Sequence, residues 1–586
     1  MEKKLLWGII GTGNIAQTFA EAVNRSDTGK LVAVASRDGK KAEAFAKNFN
    51  IPHSYGQYQD ILADDNVQAV YIALPHTLHA EWAIKAAEAK KHILCEKPIG
   101  INHAEAMAIV EAAIENDVFL MEAFMYRCHP QTKKLIELLQ KKTIGDVRVI
   151  QATFSFYAQF NPEARLFNNQ LGGGGILDVG CYCTSMARLV AGVAIGKQIA
   201  EPLELKGCGH IGVTGVDEWA IASARFPQDV VAQLSTGISV PQEGSVRIFG
   251  TNGYIVIPSP WIVSKKGGES TIIVQRYDEE TPQEIKVKTD KWLYSIEADT
   301  MAEHINNRQA QFPAMTLSDT LGNMKALDMW RESIGLVYEK EKPKNMTVTV
   351  SGRPLQPGRK SCMKYGEIKG IDKKISRIIM GVDNQTTFPH LAVMLDDFVE
   401  KGGNTVDTAF IYYGGLCEIL LGEWIKTRNM RDKIMIIAKG AHTPYCTPQN
   451  MTTQLLISLE RMQTDYVDIY FLHRDNPDIP VGEFVDVLNE HKKAGRIKIF
   501  GGSNWTLERI EQANQYAKSK GLEGFSAVSN NFSLARMLKP VWPGVISSSD
   551  KKSRQWFEKN QIPLISWSSQ ARGFFTGRYS PDDKSD

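Results

Sequence analysis

The sequence predicts an α/β protein with three structural regions: a doubly wound parallel sheet, a mainly antiparallel α+β domain and a (β/α)8 barrel. Three observations support this. Apolar runs alternate with helical patterns over residues 5–150, apolar and polar residues alternate over 147–337, and the first pattern returns after residue 363. The chain of 586 residues also exceeds the roughly 250–300 residues that one hydrophobic core can serve.

The first region consists of short apolar runs, each followed by a segment with helical periodicity. Strands that alternate with helices of about 10–15 residues form βαβ units on a parallel sheet. The runs are LLWGII, LVAVAS, VQAVYIAL, HILCEK and FLMEAF, and the helical patterns cover 15–24, 40–49, 79–89 and 103–116. We therefore predict a Rossmann-type domain over residues 1–125.

The second region, residues 126–340, contains strands with alternating apolar and polar residues, as in EWAIASARF and VVAQLSTGISV. Such alternation is typical of antiparallel sheets with one face on the core and the other facing solvent or a partner. Contact through that open face would make the protein a homodimer. Residues 341–362 are rich in Lys, Pro and Gly and are predicted to form a linker.

The third region, residues 363–586, again alternates apolar runs with helical patterns, which include 451–462 and 481–494. The apolar runs are RIIMG, NTVDTA, IMIIAKG, VDIYFLH, IKIFGGSN, FSAVSNN and PLISWSS. This alternation predicts a TIM-type (β/α)8 barrel that stops before its eighth strand. Because such a barrel would have exposed edges and an open core, the favoured interpretation is that the sequence is a fragment of that domain. Alternatively, the missing unit comes from elsewhere, or the barrel is catalytically weak.

The composition argues against several classes of partner. The 68 basic and 66 acidic residues give a net charge of +2, so no binding to nucleic acid or to an anionic membrane is expected. The eight cysteines lack the paired spacing of a metal site, and no metal is expected. The first apolar run leads into Gly-Thr-Gly instead of a cleavage site, and no apolar stretch approaches the ~20 residues of a membrane span, so a cytoplasmic location is expected.

A glycine turn follows the first predicted strand directly. The segment from Gly11 to Ala16 has the spacing GxGxxA. Gly11 permits a tight turn, Gly13 lets a pyrophosphate approach the backbone, and Ala16 allows close packing of helix on strand. The helix that begins at Asn14 and Ile15 offers amide donors and a positive dipole end. The turn therefore predicts a dinucleotide site.

The second predicted strand ends at Ser36 and Arg37, where an NAD site usually offers a carboxylate to the ribose 2′-hydroxyl. Ser36, Arg37 and Lys41 would instead suit a 2′-phosphate, which favours NADP over NAD. Alternatively, Arg37 and Lys41 are solvated surface charges. The remaining predicted cofactor contacts follow later strands: Pro75, His76 and Glu96.

A later strand ends in Glu96-Lys97-Pro98. Together with GxGxxA, the segments YIALPHTLHAEWAIKAAEAKKHILCEKP and GGGGILDVGCY resemble the glucose–fructose oxidoreductase/inositol dehydrogenase (Gfo/Idh/MocA) family. The resemblance covers roughly residues 5–340. It is strongest with the branch of glucose–fructose oxidoreductase, NADP-dependent xylose dehydrogenase and dimeric dihydrodiol dehydrogenase, in which tyrosine stands where inositol dehydrogenases have histidine.

The resemblance implies that Lys97 and Tyr182 lie at the substrate hydroxyl and that Asp178 orients them. Asp178 and Tyr182 are four residues apart and would share a helical face. Hydride removal from a carbinol requires loss of the hydroxyl proton, and Lys97 would lower the pKa of Tyr182 to a useful range. Three residues after MEAF either line the sugar pocket or have a structural role: Tyr126, Arg127 and His129.

In the third region, polar residues end successive predicted strands. They are Asp407, Lys439, His473 and the pair Ser503-Asn504. The carboxyl-terminal rim is where barrel active sites are built. These residues therefore predict a second active site.

The segments DTAFIYYGGLCEILLGEWI, IIAKG, YFLHRDNP and GGSNW resemble the aldo–keto reductases over about residues 363–580. The resemblance implies a catalytic tetrad of Asp407, Tyr412, Lys439 and His473. Tyr412, five residues after Asp407, would protonate a carbonyl oxygen while NADPH delivers hydride. Lys439, paired with Asp407, would lower the pKa of Tyr412, and His473 would orient the carbonyl.

The same resemblance implies that Ser503 and Asn504 hold the nicotinamide carboxamide and that Trp567 stacks on the ring. Two features depart from the family pattern. Ser529 stands where the family usually has a glutamine, and the eighth strand and the following loop, which bind the adenosine 2′-phosphate, are missing.

The sequence therefore predicts a two-module NAD(P)-dependent oxidoreductase acting on CH–OH groups of small carbonyl or sugar substrates. The first module would interconvert a hydroxyl and a carbonyl on a sugar, polyol or dihydrodiol, and the second would reduce an aldehyde or ketone. One module could consume the NADPH that the other produces. Two alternatives stay open: a glycosidase-type enzyme that retains NAD, and a binding protein whose barrel senses the redox state of the nucleotide.

Overall fold

A computed structural model of the chain describes residues 4–577 and 579–580. The polypeptide divides into two compact units. Unit 1 comprises Met1–Asn345 with Val350–Gly352, and unit 2 comprises Met346–Thr349 with Arg353–Asp586. The proposed linker is shared between them: Glu341 belongs to unit 1, where its carboxylate pairs with Arg331 at 2.9 Å. The start of this segment is thus packed structure and not a solvated spacer.

Unit 1 begins with a parallel sheet whose strand order is β3-β2-β1-β4-β5-β6. Its strands are β1 (Leu5–Ile10), β2 (Gly29–Ala35), β3 (His53–Tyr55), β4 (Ala69–Ile72), β5 (His92–Glu96) and β6 (Leu120–Ala123). The helices are α1 (Asn14–Val23), α2 (Gly39–Phe49), α3 (Tyr58–Ala63), α4 (His79–Glu88) and α5 (His103–Glu115). The order reverses between β1 and β4, so a crevice opens at the carboxyl ends of these strands. The predicted Rossmann fold is confirmed.

The second part of unit 1 is built on a mixed sheet of order β14-β13-β12-β11-β7-β10-β9-β8. The strands are β7 (Val147–Ser155), β8 (Glu204–Ile211), β9 (Asp217–Arg225), β10 (Val231–Gly237), β11 (Val246–Gly250), β12 (Gly253–Ile257), β13 (Gly268–Arg276) and β14 (Gln283–Thr289). The helices are α6 (Met125–Cys128), α7 (Pro130–Gln140), α8 (Cys181–Ala194), α9 (Leu293–His304) and α10 (Leu317–Ser333). The pair β7–β10 is parallel and the other pairs are antiparallel, which confirms the prediction.

A π-helical turn, Ile176–Gly180, leads directly into α8. The two belong to one helical stretch, Asn169–Ala194, that is long and apolar enough to cross a membrane by length and composition alone. Its most apolar window is wholly buried inside the protein, as is typical of a core helix. The sequence analysis overlooked this stretch because glycines interrupt it.

Unit 2 is a parallel half-barrel preceded by a short hairpin. The strands are β15 (Tyr365–Gly366), β16 (Ile375–Ser376), β17 (Met380–Gly381), β18 (Thr405–Asp407), β19 (Met435–Gly440), β20 (Val467–Leu472), β21 (Ile497–Ser503) and β22 (Ala527–Ser529). The helices are α11 (Phe388–Glu400), α12 (Leu416–Arg428), α13 (Pro448–Arg461), α14 (Val481–Lys493), α15 (Leu507–Lys520) and α16 (Lys551–Asn560). Strands β17 to β22 pair side by side in chain order.

The half-barrel agrees with the predicted fold class, with one difference. The last predicted strand, PLISWSS, forms only isolated bridges, which join Leu564 to Val528 and Trp567 to Asn531. Within the described residues the sheet therefore has six strands and does not close. Alternate residues of each strand point to the helices or to the interior, where Ile437 and Phe471 pack with Ile375 of the hairpin.

A buried ionic cluster joins α6, α8 and α10 of unit 1. The Asp319 carboxylate lies 2.7 Å from Arg127 and 2.6 Å from Arg188, and all three side chains are almost completely buried. Burial by itself would raise the pKa of Asp319, but the two guanidinium groups outweigh it and lower that pKa. The carboxylate therefore compensates two positive charges that have no access to water.

Replacing Asp319 with Asn is expected to destabilise unit 1 by about 3–5 kcal/mol, because the buried Arg127 guanidinium loses its compensating carboxylate and Arg188 keeps only Glu201. Urea unfolding followed by circular dichroism measures the loss. Asp117→Asn is the control, since Asp117 pairs with Arg308 at the surface and its removal should change stability little. Equal losses in the two variants would show that the cluster does not stabilise the fold.

A second buried carboxylate holds the π-helical turn. Asp217 accepts a hydrogen bond from the Ile176 amide at 2.7 Å, and burial raises the pKa of Asp217 to about 7. In the unfolded chain that pKa is about 3.9. A carboxyl whose pKa is raised by folding favours the folded state while it is protonated. That contribution is complete below the unfolded pKa and is lost as the pH rises through the folded pKa.

The stability of the wild type relative to Asp217→Asn is therefore expected to fall as the pH rises from about 4 to about 7. The limiting slope is about 1.4 kcal/mol per pH unit, the value for one proton. Urea unfolding of both proteins across that pH range measures the difference. A difference that does not depend on pH would mean that Asp217 is ionised in the folded protein.

Candidate active sites

The glycine turn lies at the crevice of the parallel sheet in unit 1. Gly11 has a φ of +107°, and a Cβ there would lie 2.4 Å from the Ala73 carbonyl oxygen, so only glycine fits. A Cβ on Gly13 would meet nothing within 4 Å, which leaves the backbone open to a ligand. Helix α1 begins at Asn14 with no side-chain cap on its first amides and no acidic residue in its first turn. Free amides at an open helix terminus fit a pyrophosphate.

Two positively charged side chains lie beyond the carboxyl end of β2, Arg37 in the following loop and Lys41 in α2. Ser36 is buried and accepts a hydrogen bond from the Asp38 amide, and Asp38 in turn caps α2. Arg37 and Lys41 are exposed, and neither forms an ion pair with any described residue. Their charges are therefore available to a ligand.

Lys97, directly after β5, is held beside Asp178 and Tyr182. Its Nζ donates to the main-chain oxygen of Asp178 at 2.7 Å and lies 3.8 Å from Oδ1 of the same residue. It also lies 5.3 Å from the centroid of the Tyr182 ring. Asp178 belongs to the π-helical turn, a distortion that occurs often at functional sites. The structure thus brings the three predicted residues together.

The position of Tyr182 differs from the sequence expectation. Its hydroxyl faces the sulfur of Met125 at 3.5 Å, and Lys97 lies over the face of the ring instead of near the hydroxyl. Burial, followed by the effects of Tyr294 and Glu96, raises the pKa of Tyr182 well above its ordinary value. The expected lowering of this pKa by Lys97 is not found in this arrangement.

Sequence reasoning missed Arg165, which begins a short 3-10 turn, Arg165–Phe167, that carries no motif. Its guanidinium bonds to Asp178 Oδ1 at 2.8 Å and lies 3.3 Å from Nε2 of His76. Burial by itself would raise the pKa of Asp178, but Lys97 and Arg165 outweigh it and hold that pKa below its ordinary range. Burial and the charge of Arg165 lower the pKa of His76, so its ring is neutral.

Two other predicted cofactor residues have different surroundings. Pro75 begins the short 3-10 turn that carries His76. Glu96 is buried and accepts a hydrogen bond from the Tyr71 hydroxyl, and burial raises its pKa. The Glu96 carboxylate therefore points into the core behind Lys97 and not toward the crevice.

The residues after MEAF have structural roles. The Tyr126 hydroxyl donates to Ser185 at 2.8 Å, Arg127 belongs to the Asp319 cluster, and His129 caps α7. Of the two interpretations left open by the sequence, the structure favours the structural one.

Aromatic rings surround Tyr182 on the side away from the sheet edge. Phe154 and Trp261 stack on each other with centroids 5.6 Å apart, and both contact the Tyr182 ring at 5.2 and 5.8 Å. Phe124 adds a further contact at 5.1 Å. These rings come from separate elements, so no sequence pattern connects them. They make one side of the Lys97 site apolar.

The second site lies at the carboxyl ends of the unit 2 strands. Lys439 Nζ lies 2.6 Å from Asp407 Oδ1 and 5.8 Å from the centroid of the Tyr412 ring. The Tyr412 and His473 rings are 6.0 Å apart and nearly perpendicular. The four predicted residues are therefore adjacent, because parallel neighbouring strands end at the same rim.

Electrostatics at this rim differ in part from the expectation. The charge of Lys439 acts to lower the pKa of Tyr412, but burial and the carboxylates of Asp407 and Asp383 outweigh it and leave that pKa raised. Burial and the charges of Lys439 and Arg474 lower the pKa of His473, so the imidazole is neutral. Asp383 follows β17. It therefore fits the same sequence pattern, a polar residue after a strand, that predicted the other residues of this site.

Ser503 and Asn504 lie next to His473. The Ser503 hydroxyl donates to the Ser529 carbonyl at 2.8 Å, and the Asn504 amide bonds to Ser503 Oγ at 3.1 Å and to the His473 carbonyl at 3.4 Å. Trp567 is half-buried, with its ring 6.2 Å from that of Trp542. The structure thus places Ser503 and Asn504 at the catalytic rim.

Family models match both units. The model described as "Oxidoreductase family, NAD-binding Rossmann fold" matches residues 5–124, and the "GFO/IDH/MocA C-terminal domain" matches 132–256. The "Aldo/keto reductase family" model matches 378–586. These ranges include both candidate lysines, Lys97 and Lys439.

Similar proteins are known from several organisms. A trans-1,2-dihydrobenzene-1,2-diol dehydrogenase from Mus musculus is 32% identical over 344 residues, which is 58% of this chain and 99% of that protein. A D-xylose 1-dehydrogenase (NADP(+)) from Haloferax volcanii is 34% identical over 249 residues, 42% of this chain and 74% of that protein.

Among solved structures, a 3-ketoreductase from Actinomadura kijaniata in complex with NADP and TDP-benzene is 26% identical, with a TM-score of 0.51. The match covers 57% of this chain and 98% of that one. The chain therefore belongs to the Gfo/Idh/MocA oxidoreductases, carries an aldo/keto reductase domain in the same polypeptide, and is an NAD(P)-dependent oxidoreductase acting on hydroxyl groups.

Proposed function

We propose that unit 1 transfers hydride between NADP and a hydroxyl of a sugar, polyol or dihydrodiol, and that unit 2 reduces an aldehyde or ketone with NADPH. One observation carries the proposal. In each unit an aspartate holds a lysine ammonium beside a tyrosine, at the carboxyl edge of a parallel sheet. The nicotinamide, when bound, supplies or accepts the hydride at the substrate carbon. The protein must therefore give a proton to, or take one from, the oxygen bonded to that carbon.

In unit 1, Lys97 is the proton-exchanging group: as the ammonium it gives a proton to the substrate carbonyl oxygen during reduction, and as the neutral amine it accepts the hydroxyl proton during oxidation. Its Nζ is fixed by the Asp178 carbonyl, and a substrate hydroxyl would complete its set of hydrogen bonds. Arg165 holds the Asp178 carboxylate on the other side, which keeps this negative charge beside the lysine. Tyr182, whose pKa is raised by burial, stays neutral and forms the wall of the site.

The apolar rings favour a dihydrodiol over an open-chain polyol as the substrate of unit 1. Phe154 and Trp261 pack against the ring of Tyr182, and Lys97 lies over that ring, so the lysine has an aromatic wall that suits the unsaturated carbon skeleton of a cyclic diol. The name of the mouse relative supports the same class, whereas that of the archaeal relative supports an aldose.

In unit 2, Tyr412 would donate a proton to the carbonyl oxygen as the carbon accepts hydride. The ammonium of Lys439 stabilises the phenolate that remains, and Asp407 keeps Lys439 in place. Neutral His473 directs the carbonyl oxygen toward Tyr412 without adding a competing charge.

NADP is the proposed cofactor because Arg37 and Lys41 offer unpaired charges where a 2′-phosphate would lie. The archaeal relative is named for NADP, and the ketoreductase structure contains it. We also propose a cytoplasmic homodimer. The exposed side chains Trp219, Ile221 and Val231 on the open sheet face support the dimer.

Lys97→Ala is expected to lower kcat/KM for hydroxyl oxidation by about 10²- to 10⁴-fold, the contribution of a positioned acid–base group. Carbonyl reduction by unit 2 should persist. NADPH formation with aldoses, inositols and dihydrodiols, and NADPH consumption with aldehydes, measure the two activities. Tyr412→Phe is the reciprocal control, and it should abolish only the carbonyl reduction. If neither variant changes any activity, both site assignments are wrong.

Arg37→Ala is expected to raise the KM for NADP in hydroxyl oxidation by about 10- to 100-fold, because a charge-assisted hydrogen bond to the 2′-phosphate is lost. The KM for NAD should not change, since NAD has no phosphate there. Lys40→Ala, which removes an adjacent exposed charge outside the proposed site, is the control. Equal effects on the two cofactors would show that Arg37 does not select NADP.

A further inference from the structure

Arg474 is a buried cation that no carboxylate of the described residues compensates. It follows His473 directly and is 8% exposed. Its Nη1 donates a hydrogen bond to the His473 carbonyl oxygen at 2.9 Å, and no ion pair joins the side chain to any described residue. Burial lowers its pKa.

The other buried arginines of the described chain behave differently. Each of them pairs with at least one carboxylate: Arg127, Arg188, Arg331 and Arg428. Burying a guanidinium without a counter-charge is costly, so the other four cases represent the usual solution. Arg474 therefore lacks a partner that its environment requires.

The nearby acidic groups are already occupied or remote. Asp475, the next residue, forms a bidentate ion pair with Arg509, with N–O distances of 2.9 and 3.0 Å. The Asp407 carboxylate forms an ion pair with the Lys439 ammonium, so the two charges compensate each other. Asp383 is exposed to solvent and makes no ion pair with Arg474. Arg474 therefore keeps a positive charge that no described carboxylate pairs with.

This charge lies at the reacting end of the site. Arg474 Nη1 and Asn504 Nδ2 both donate to the His473 carbonyl oxygen, at 2.9 and 3.4 Å, so the guanidinium lies beside a predicted cofactor residue. Its charge also contributes to the lowered pKa values of His473 and His442. The side chain packs against the Gly544 position, where a Cβ would lie 3.7 Å from Arg474 Cδ. His473 Nδ1, also buried, has no hydrogen-bond partner among the described residues. An unpaired ring nitrogen and a guanidinium without a carboxylate partner therefore lie on consecutive residues at the end of β20.

We propose that Arg474 binds an anionic group of the unit 2 substrate, which is an aldehyde or ketone bearing a carboxylate or phosphate. This rests on the proposed reductase function of unit 2 and names its substrate class. Planar carboxylates and phosphates match the forked donors of guanidinium, and an anion would supply the missing counter-charge. A neutral aldehyde would leave Arg474 uncompensated.

The test compares pairs of aldehydes of which one member carries an anionic group and the other is neutral, with the full-length protein and NADPH. The pairs are 4-carboxybenzaldehyde with its methyl ester, and glyceraldehyde 3-phosphate with glyceraldehyde. The wild type is expected to show kcat/KM about 10- to 100-fold higher for an anionic member. In Arg474→Met this preference should vanish, through a higher KM, while activity on the neutral member persists and shows that the variant is folded.

Arg474→Lys keeps the positive charge but loses the forked pair of guanidinium donors, and it should restore part of the preference for the anionic aldehydes. Arg536→Met removes an exposed arginine of the same unit and should leave the preference unchanged. A preference for only one pair identifies the anion as carboxylate or phosphate. An unchanged preference in Arg474→Met, or a wild type that prefers the neutral members, overturns the proposal.

Benzoate binding, measured by isothermal titration calorimetry, separates this proposal from the reductase function. If benzoate binds the wild type about tenfold or more tightly than Arg474→Met but no aldehyde is reduced, the anion site stands and the reductase function fails. If benzoate binds both proteins equally, or binds neither, while no aldehyde is reduced, the anion site is wrong as well.

Discussion

A lysine ammonium withdrawn from water needs a fixed negative partner, and both candidate sites depend on this constraint. Lys439 is almost fully buried and lies against the Asp407 carboxylate. Lys97 is more accessible and is shared between the carbonyl and the carboxylate of Asp178. In each case the aspartate determines where the ammonium lies, and the ammonium determines where a substrate oxygen can bind.

The two sites reach this arrangement in different ways. In unit 2, Asp407 and Lys439 end neighbouring parallel strands, so the sheet itself brings them together. In unit 1, Lys97 ends a strand while Asp178 arrives from a π-helical turn that Asp217 anchors through the Ile176 amide. The Lys97 site therefore depends on the packing of the second domain against the sheet, whereas the Lys439 site depends on strand register.

In an isolated pair, a lysine ammonium lowers the pKa of a neighbouring tyrosine. Burial has the opposite effect on the two site tyrosines of this protein. The pKa values of Tyr182 and Tyr412 are both raised, because desolvation and nearby carboxylates outweigh the ammonium. Tyr412 is thus a proton donor at neutral pH, which suits carbonyl reduction. For the same reason Tyr182 remains protonated, and proton exchange in unit 1 depends on Lys97.

Much of the fold and part of each site follow from the sequence alone. The glycine turn, the strand that ends in Lys97 and the strand-end residues Asp407 and Lys439 are local features, because strand ends and tight turns depend on neighbouring residues. Only the tertiary structure showed that Arg165 completes the Asp178 site, that Glu96 turns into the core, and that Arg474 has no counter-charge in the part of the chain that the structure describes. These depend on contacts between residues far apart in the chain, and no local pattern specifies which charges meet when the chain folds.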